Sequence, residues 1–194
     1  MALGLTATID METDMAQQIV LLPGIGNSGP GHWQRSWAGS DAGMTLIDGQ
    51  DWDQPIREQW VENLDRTLRR VGPDTILVAH SLGCLQVIHW AQARDVRIAG
   101  AMLVAPPDPQ GPAFPSQASG FGNVPMQRLA FPTLVVASSD DPYASLDFSR
   151  HCAEAWGSRF VDVGARGHIN GQSGLGDWAQ GRELLDALRV SAAG

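Results

Sequence analysis

The feature that most constrains the fold is residues 75–84, where an apolar run passes almost directly into a helical pattern. Residues 75–79 are rich in β-formers and are typical of a strand buried on both faces. Apolar residues then recur at helical spacing, namely Leu82, Leu85, Val87, Ile88 and Ala91. Only His80, Ser81 and at most one further residue remain for the turn, so Ser81 is predicted at a strained apex.

A strand-to-helix turn with a serine at its apex is the arrangement called a nucleophile elbow, written G-x-S-x-G. Small residues are needed on both sides of the serine because strand and helix nearly touch there. Gly83 meets this requirement, and Ala79 stands where the first glycine is usual. The alternative is that Ser81 is an ordinary helix N-cap beside an incidental glycine. The buried strand before it and the apolar helix after it favour the elbow.

Length and composition indicate one folded domain. The chain has 194 residues, of which 43% are hydrophobic and 18% charged, which suits a globular enzyme. Residues 1–17 are predicted to be a flexible tail and residues 18–194 a single domain. The tail carries acidic residues but no Lys or Arg, unlike a secretory signal.

Charge and cysteine content limit the partners and the compartment. The net charge of −8 argues against nucleic acid or an anionic membrane as partner, and no apolar run reaches the length of a membrane span. Cys84 and Cys152 are too few for a disulfide framework and are predicted to be small buried hydrophobes. We therefore expect a cytoplasmic protein.

Strand and helix patterns alternate along the chain. Strands are predicted within residues 18–22, 44–48, 75–79, 96–104, 133–137 and 160–163. Helices are predicted from about residue 32, within 56–70, from 82 to 93, and within 144–156 and 177–190. This alternation predicts an α/β fold, a three-layer α/β/α sandwich with a mainly parallel sheet of about six strands. Residues 105–125, the proline loop, contain six prolines and are predicted to be a surface loop rather than a cap domain.

A serine hydroxyl becomes nucleophilic when a neighbouring base takes its proton, and after an elbow the acid and then the base come later in the chain. His168 is the histidine that lies in the loop after the last predicted strand, residues 164–170, which we call the histidine loop. The other histidines precede or adjoin Ser81, or fall inside predicted helices. His168 is therefore the candidate base.

The candidate acid follows the fifth predicted strand, where Asp140 and Asp141 are adjacent. Side chains of neighbouring residues cannot both point at one imidazole, so only one of them can orient His168. Pro142 restricts the backbone of Asp141 and removes the next amide donor, which favours Asp141. Asp141 could instead cap the following helix, and Asp140 stays open as the acid.

A tetrahedral intermediate also needs hydrogen-bond donors for its oxyanion. The backbone amide of Leu82, the residue after the serine, is one expected donor. The second is expected from the loop after the first strand, where the amide of Ile25 is the candidate. Gly24 would let that backbone approach the reacting carbonyl.

The same loop offers a competing interpretation as a dinucleotide site. Gly24, Gly26 and Gly29 match G-x-G-x-x-G, and Asp48 closes the next predicted strand. In a dinucleotide fold, however, the helix begins within the glycine motif so that its amides can hold the pyrophosphate. Gly29-Pro30-Gly31 delays the helix here, and this interpretation leaves Ser81, Asp141 and His168 without a role.

Taken together, these motifs resemble the α/β-hydrolase superfamily. The resemblance is strongest to its small, cap-less serine hydrolases, a group that includes YdeN-like proteins and retinoblastoma-binding protein 9. It spans about residues 18–190. It rests on Pro23-Gly24, His32-Trp33, Asp51-Trp52, Pro55, Trp60, residues 80–84, Asp140-Asp141-Pro142 and Gly167-His168.

The resemblance implies a Ser81–His168–Asp141 triad that hydrolyses small-molecule esters or amides through an acyl-enzyme, with neither cofactor nor metal. Some members of the group are better known as binding partners, so a binding protein with an idle triad is the alternative. A protein partner is possible but is not indicated by the sequence.

Overall fold

Six parallel strands in the order β2-β1-β3-β4-β5-β6 form the centre of the structure, a computed structural model that describes residues 17–95 and 97–192. The predicted tail, apart from its last residue, lies outside the described residues. The strands are β1 Ile19–Leu22, β2 Met44–Leu46, β3 Ile76–His80, β4 Gly100–Val104, β5 Thr133–Ala137 and β6 Arg159–Asp162. Every residue of β1, β3, β4 and β5 is buried, as the near-continuous apolar runs predict.

Five helices cover the two faces of this sheet: α1 Trp33–Ser40, α2 Arg57–Val71, α3 Leu82–Ala93, α4 Leu146–Trp156 and α5 Ala179–Ala192. One core lies under α1 and α5 and contains Trp33, Trp37 and Trp178. The opposite core lies under α2, α3 and α4 and includes Leu64 and Trp156. The three-layer α/β/α sandwich is therefore confirmed. Among the helices described, none is long and apolar enough to cross a membrane.

The boundaries of the elements differ from the prediction where tertiary contacts decide them. β3 continues through His80, which was assigned to the turn, because His80 pairs with Val104 of β4. α4 begins at Leu146 and its N-cap is Ser145, whose hydroxyl accepts from the Phe148 amide. Asp141 is therefore not the cap of that helix.

The proline loop has no helix or strand of its own, and the residues that the structure describes form no cap domain over the sheet. One isolated bridge joins Ser119 to Ile56, just before α2. Phe121 is fully buried against Trp60 of α2 and Leu85 of α3. The loop is therefore attached to the α2–α3 side of the molecule by an apolar cluster centred on Phe121 and a short stretch of backbone pairing.

The order of the strands places a crevice beside Ser81. The chain moves from β1 outward to β2 and then returns to the other side of β1 as β3. The loops that follow β1 and β3 therefore leave the sheet in opposite directions, and ligands of open α/β sheets bind at such a switch point.

Candidate active site

Ser81 occupies the strained apex predicted for the turn. Its φ and ψ are 54° and −125°, a conformation that a residue with a side chain rarely adopts. Its amide donates to the Val104 carbonyl at 2.9 Å, which ties the turn to the neighbouring strand. A methyl group on Gly83 would lie 2.5 Å from the Leu22 carbonyl oxygen, so glycine is required where α3 crosses β1.

The imidazole of His168 bridges Ser81 and Asp141. Its Nε2 lies 2.8 Å from the Ser81 hydroxyl, and its Nδ1 lies 2.9 Å from each carboxylate oxygen of Asp141. Exposed fractions are 8% for Ser81 and for His168, and 3% for the Asp141 side chain. The structure thus brings together three groups that are separated by up to 87 residues in the chain.

The two adjacent aspartates have different partners. Asp141 contacts the imidazole and also accepts from the Tyr143 amide at 2.9 Å. Asp140 instead accepts from the Ser138 hydroxyl at 2.8 Å and from the Gly167 amide at 2.6 Å. Those two hydrogen bonds lower the pKa of the Asp140 carboxyl. Asp140 therefore holds the backbone of the histidine loop, while Asp141 faces its side chain.

Gly24 brings the first loop against the serine. A methyl group in its place would lie 2.8 Å from the Ser81 Cβ and 3.3 Å from the Leu82 amide nitrogen. The next amide, that of Ile25, has no hydrogen-bond partner in the part of the chain that is described. This backbone therefore lies beside the Leu82 amide, where two donors for an oxyanion are expected. The Gly26 amide donates to the Trp52 carbonyl at 2.9 Å, which holds the loop in place.

The glycine motif does not have the geometry of a dinucleotide site. The first helix begins at Trp33, beyond Gly29, with His32 as its N-cap. The amides of that helix therefore lie past the glycines, and Gly24 is packed against Ser81 instead. The carboxyl end of β2 is Leu46, so Asp48 does not close the strand as predicted.

Sequence reasoning missed two further histidines in the wall of the site. The His80 ring lies between those of His32 and His168, with centroids 4.8 and 4.9 Å away. Burial lowers the pKa of His32 to about 4 and that of His80 well below its usual range, so both are neutral near pH 7. Their positions in the sequence could have indicated that they lie near the site, because His32 directly precedes Trp33 and His80 directly precedes Ser81.

A cleft of about 840 Å³ opens above these residues. Its floor contains Ser81, Leu82 and His168, and the proline loop contributes Pro107 and Pro115 to one wall. The rest of the lining includes five amide side chains, namely Asn27, Gln54, Gln117, Asn170 and Gln172. The cleft is therefore mixed in character, with apolar patches close to the serine and hydrogen-bonding groups at the rim.

Neither thiol of the protein offers a rival reactive centre. Cys84 and Cys152 are buried and unpaired, as predicted. Burial raises the pKa of Cys84 well above its usual range and that of Cys152 to about 12, so both thiols stay protonated. Within residues 17–95 and 97–192 no cluster of three or more His, Cys, Asp or Glu side chains could hold a metal.

The parallel sheet, the elbow and the strained serine together define an α/β-hydrolase fold. The family model described as "Serine hydrolase" matches residues 19–187, which is most of the chain. This protein therefore belongs to the serine hydrolase family.

Individual relatives agree with this assignment. Bacillus subtilis YdeN is 26% identical over 170 residues, which cover 80% of this chain and 87% of YdeN. The crystal structure of a YdeN-like hydrolase from Pectobacterium atrosepticum is similar with a TM-score of 0.80 and 34% identity, covering 90% of this chain and 91% of that one. A monoacylglycerol lipase from Paleococcus ferrophilus shares the fold, with a TM-score of 0.67, 18% identity, and coverage of 90% and 93%.

Proposed function

We propose that this protein hydrolyses esters or small amides through an acyl-enzyme, with Ser81 as nucleophile, His168 as base and Asp141 as the orienting acid. The observation that carries the proposal is the unbroken hydrogen-bond path from the Ser81 hydroxyl through both ring nitrogens of His168 to Asp141. A serine, a base within hydrogen-bond reach and a group that orients the base are the requirements for covalent catalysis.

In the first half of the reaction, the Ser81 oxygen attacks the substrate carbonyl while Nε2 of His168 takes the hydroxyl proton. The tetrahedral intermediate collapses when the leaving group departs with that proton, which leaves an ester on Ser81. Water then attacks this ester, again with His168 as base, and releases the acid. Asp141 keeps the proton of neutral His168 on Nδ1, so that Nε2 has its lone pair towards the serine.

The oxyanion of both tetrahedral intermediates would accept hydrogen bonds from the backbone amides of Ile25 and Leu82. The close approach of Gly24 to Ser81 and to the Leu82 amide supports this assignment. Removing one donor of this kind typically costs about 10²–10³ in kcat, which makes it one of the larger contributions to catalysis.

The shape of the cleft supports small substrates. In the described part of the chain no cap domain encloses Ser81, and the proline loop borders the site on one side. Among the structural neighbours are a monoacylglycerol lipase and an esterase from Thermogutta terrifontis, whose names are consistent with ester substrates. We propose short acyl esters as the substrates to test first. We also propose that the enzyme acts in the cytoplasm.

Labelling with a fluorophosphonate tests the proposal directly, because the reagent loses fluoride to an activated serine and stays bound through phosphorus. Wild type should gain one adduct on Ser81, and Ser81→Ala should gain none. Ser139→Ala, which removes an exposed serine directly before Asp140, should label like wild type. A folded but unlabelled wild type would refute the proposal and favour a binding protein with an idle triad.

A further inference from the structure

The backbone on both sides of His168 has positive φ, a conformation that is unfavourable at Ile169 but not at Gly167. Gly167 and Ile169 have φ values of 55° and 49°. Positive φ is costly for a β-branched residue such as Ile169 and persists only where surrounding contacts impose it. Ile169 is also fully buried. Some set of contacts must therefore hold this strained segment, and with it the side chain of His168.

Two side chains from other elements bind the carbonyls of this segment. Nε2 of His80, at the end of β3, lies 2.9 Å from the His168 carbonyl oxygen. Nε1 of Trp33, the first residue of α1, donates to the Ile169 carbonyl at 2.8 Å. Both donors are buried, with exposed fractions of 5% and 1%. Consecutive peptide groups are thus fixed by side chains that lie 88 and 136 residues away in the chain.

The tautomer of His80 follows from its partner. A carbonyl oxygen can only accept a hydrogen bond, so neutral His80 must carry its proton on Nε2. The ring cannot rotate to use its other nitrogen without leaving a buried carbonyl unsatisfied, which is energetically costly. His80 is also packed edge-to-face on the His32 ring. Its orientation is therefore set before any substrate binds.

The position of His80 in the chain gives this hydrogen bond a particular meaning. His80 directly precedes Ser81, and the amide of Ser81 is itself bound to the Val104 carbonyl. The strand end that carries the nucleophile therefore also holds the main chain of the proposed base. Ser81 and His168 are 87 residues apart in the chain, but this hydrogen bond connects them through the side chain of the residue directly before Ser81.

We propose that His80 is a positioning residue, whose Nε2–H holds the His168 carbonyl so that the imidazole presents its own Nε2 to Ser81. Trp33 supports the following peptide in the same way. The proposal rests on the function proposed above, because it assigns His80 a task only if His168 is the base. It predicts that loss of the donor slows the chemistry and leaves substrate binding unchanged.

A pair of substitutions separates the hydrogen bond from the packing of the ring. His80→Phe keeps an aromatic ring but removes the donor, whereas His80→Gln keeps an N–H donor of similar reach and removes the ring. We expect kcat on p-nitrophenyl acetate to fall about tenfold to a hundredfold in His80→Phe, because a misplacement of about 1 Å can cost 10²-fold. KM should stay within about twofold, and His80→Gln should recover most of the lost rate.

Three controls make the result decisive. Melting temperatures show whether the two variants are equally folded, and His80→Leu, which lacks the donor without added bulk, replaces His80→Phe if that variant does not fold. His89→Leu removes another buried imidazole, on α3 and away from His168, and should leave kcat within about twofold of wild type.

The possible outcomes are distinct. A donor-free variant with wild-type kcat, or a His80→Gln variant as slow as His80→Phe, would overturn the positioning role while the serine chemistry stands. A wild type that is folded but neither labelled nor active would overturn the proposed function, and the positioning role with it.

Discussion

The histidine loop and the proline loop both border the cleft, but they are held in different ways. In the histidine loop six of the seven residues have a main-chain N–H or C=O bound by a side chain, including Asp140 on the Gly167 amide and Ser173 on the Arg166 carbonyl. The proline loop is attached to the body of the protein by the burial of Phe121, by backbone pairing around Ser119, and near its ends by hydrogen bonds at Asp108 and Pro125.

The difference matches what each loop has to do. Proton transfer from Ser81 to His168 depends on a hydrogen bond of 2.8 Å, so small displacements of the histidine loop are costly. The proline loop contributes only surface to the cleft, and prolines limit its motion without hydrogen bonds. We therefore expect substitutions in the histidine loop to change the rate of hydrolysis. Substitutions in the proline loop should change stability and substrate preference.

The largest expected effect comes from Asp141→Asn. An amide cannot hold the Nδ1 proton of His168 as a carboxylate does, and in serine proteases with this arrangement the same change lowers kcat by about 10⁴. We expect a loss of that order, or somewhat less, with the fold intact. Kinetics on a p-nitrophenyl ester measure it, and a loss below about tenfold would remove Asp141 from the triad.

Phe121→Ala should produce the largest effect in the proline loop, and it should be an effect on stability. Truncation of a fully buried phenylalanine typically costs about 3–5 kcal/mol, which urea denaturation would measure. The rate of fluorophosphonate labelling should stay within about threefold, because Ser81 is fixed by its own backbone.

Phe114→Ala, a change to a half-buried residue of the same loop, is the matched control and should cost less. If Phe121→Ala remained folded but lost its labelling, the proline loop would be shaping the catalytic centre itself. The contrast between the two loops would then fail.

A smaller effect on stability is expected from pH, through His89 on α3 beneath the proline loop. Burial and then the nearby charge of Arg57 lower the pKa of His89 to about 4, and the Phe121 backbone and Glu58 oppose this shift. The unfolded chain has a histidine pKa of about 6.5, so it binds more protons than the folded chain between these values. The contribution of His89 to the free energy of unfolding is therefore complete above about pH 6.5 and is lost as pH falls towards 4.

The difference between wild type and His89→Leu isolates this contribution, because buried His32 and His80 titrate in the same direction. The free energy of unfolding of wild type should fall more steeply between pH 6.5 and 4.5, by on the order of 2 kcal/mol. If the free energy of unfolding depended on pH in the same way in wild type and His89→Leu, the proline loop would not be keeping His89 neutral.

The smallest effect is expected from Asp140→Asn, which is the chemical match for Asp141→Asn one residue earlier. The amide oxygen of asparagine can still accept from Ser138 and the Gly167 amide, so the histidine loop keeps its anchor. We expect the rate to fall by at most about tenfold. If Asp140→Asn were the slower of the two variants, Asp140 would be the acid that orients His168, and the roles assigned to the two aspartates would be reversed.

Much of the fold could be predicted because it depends on local patterns. The alternation of buried strands with amphipathic helices set the order of the elements, and the short turn at Ser81 set the elbow. The place of His168 followed from chain order alone, since parallel strands deliver their following loops to one edge of the sheet. At the end of β3 the structure departs from the prediction by one residue, His80, because the neighbouring strand β4 supplies a pairing partner there.

The direction of individual side chains was decided by the tertiary structure. The preference for Asp141 over Asp140 rested on Pro142, but the contact with His168 exists because the histidine loop folds back over β5. Nothing local indicated that His80 and Trp33 hold that loop. Their partners lie far away in the chain, and such contacts form only when strands and helices from distant segments pack together. Local sterics thus determined where the reactive serine stands, and long-range packing determined which groups surround it.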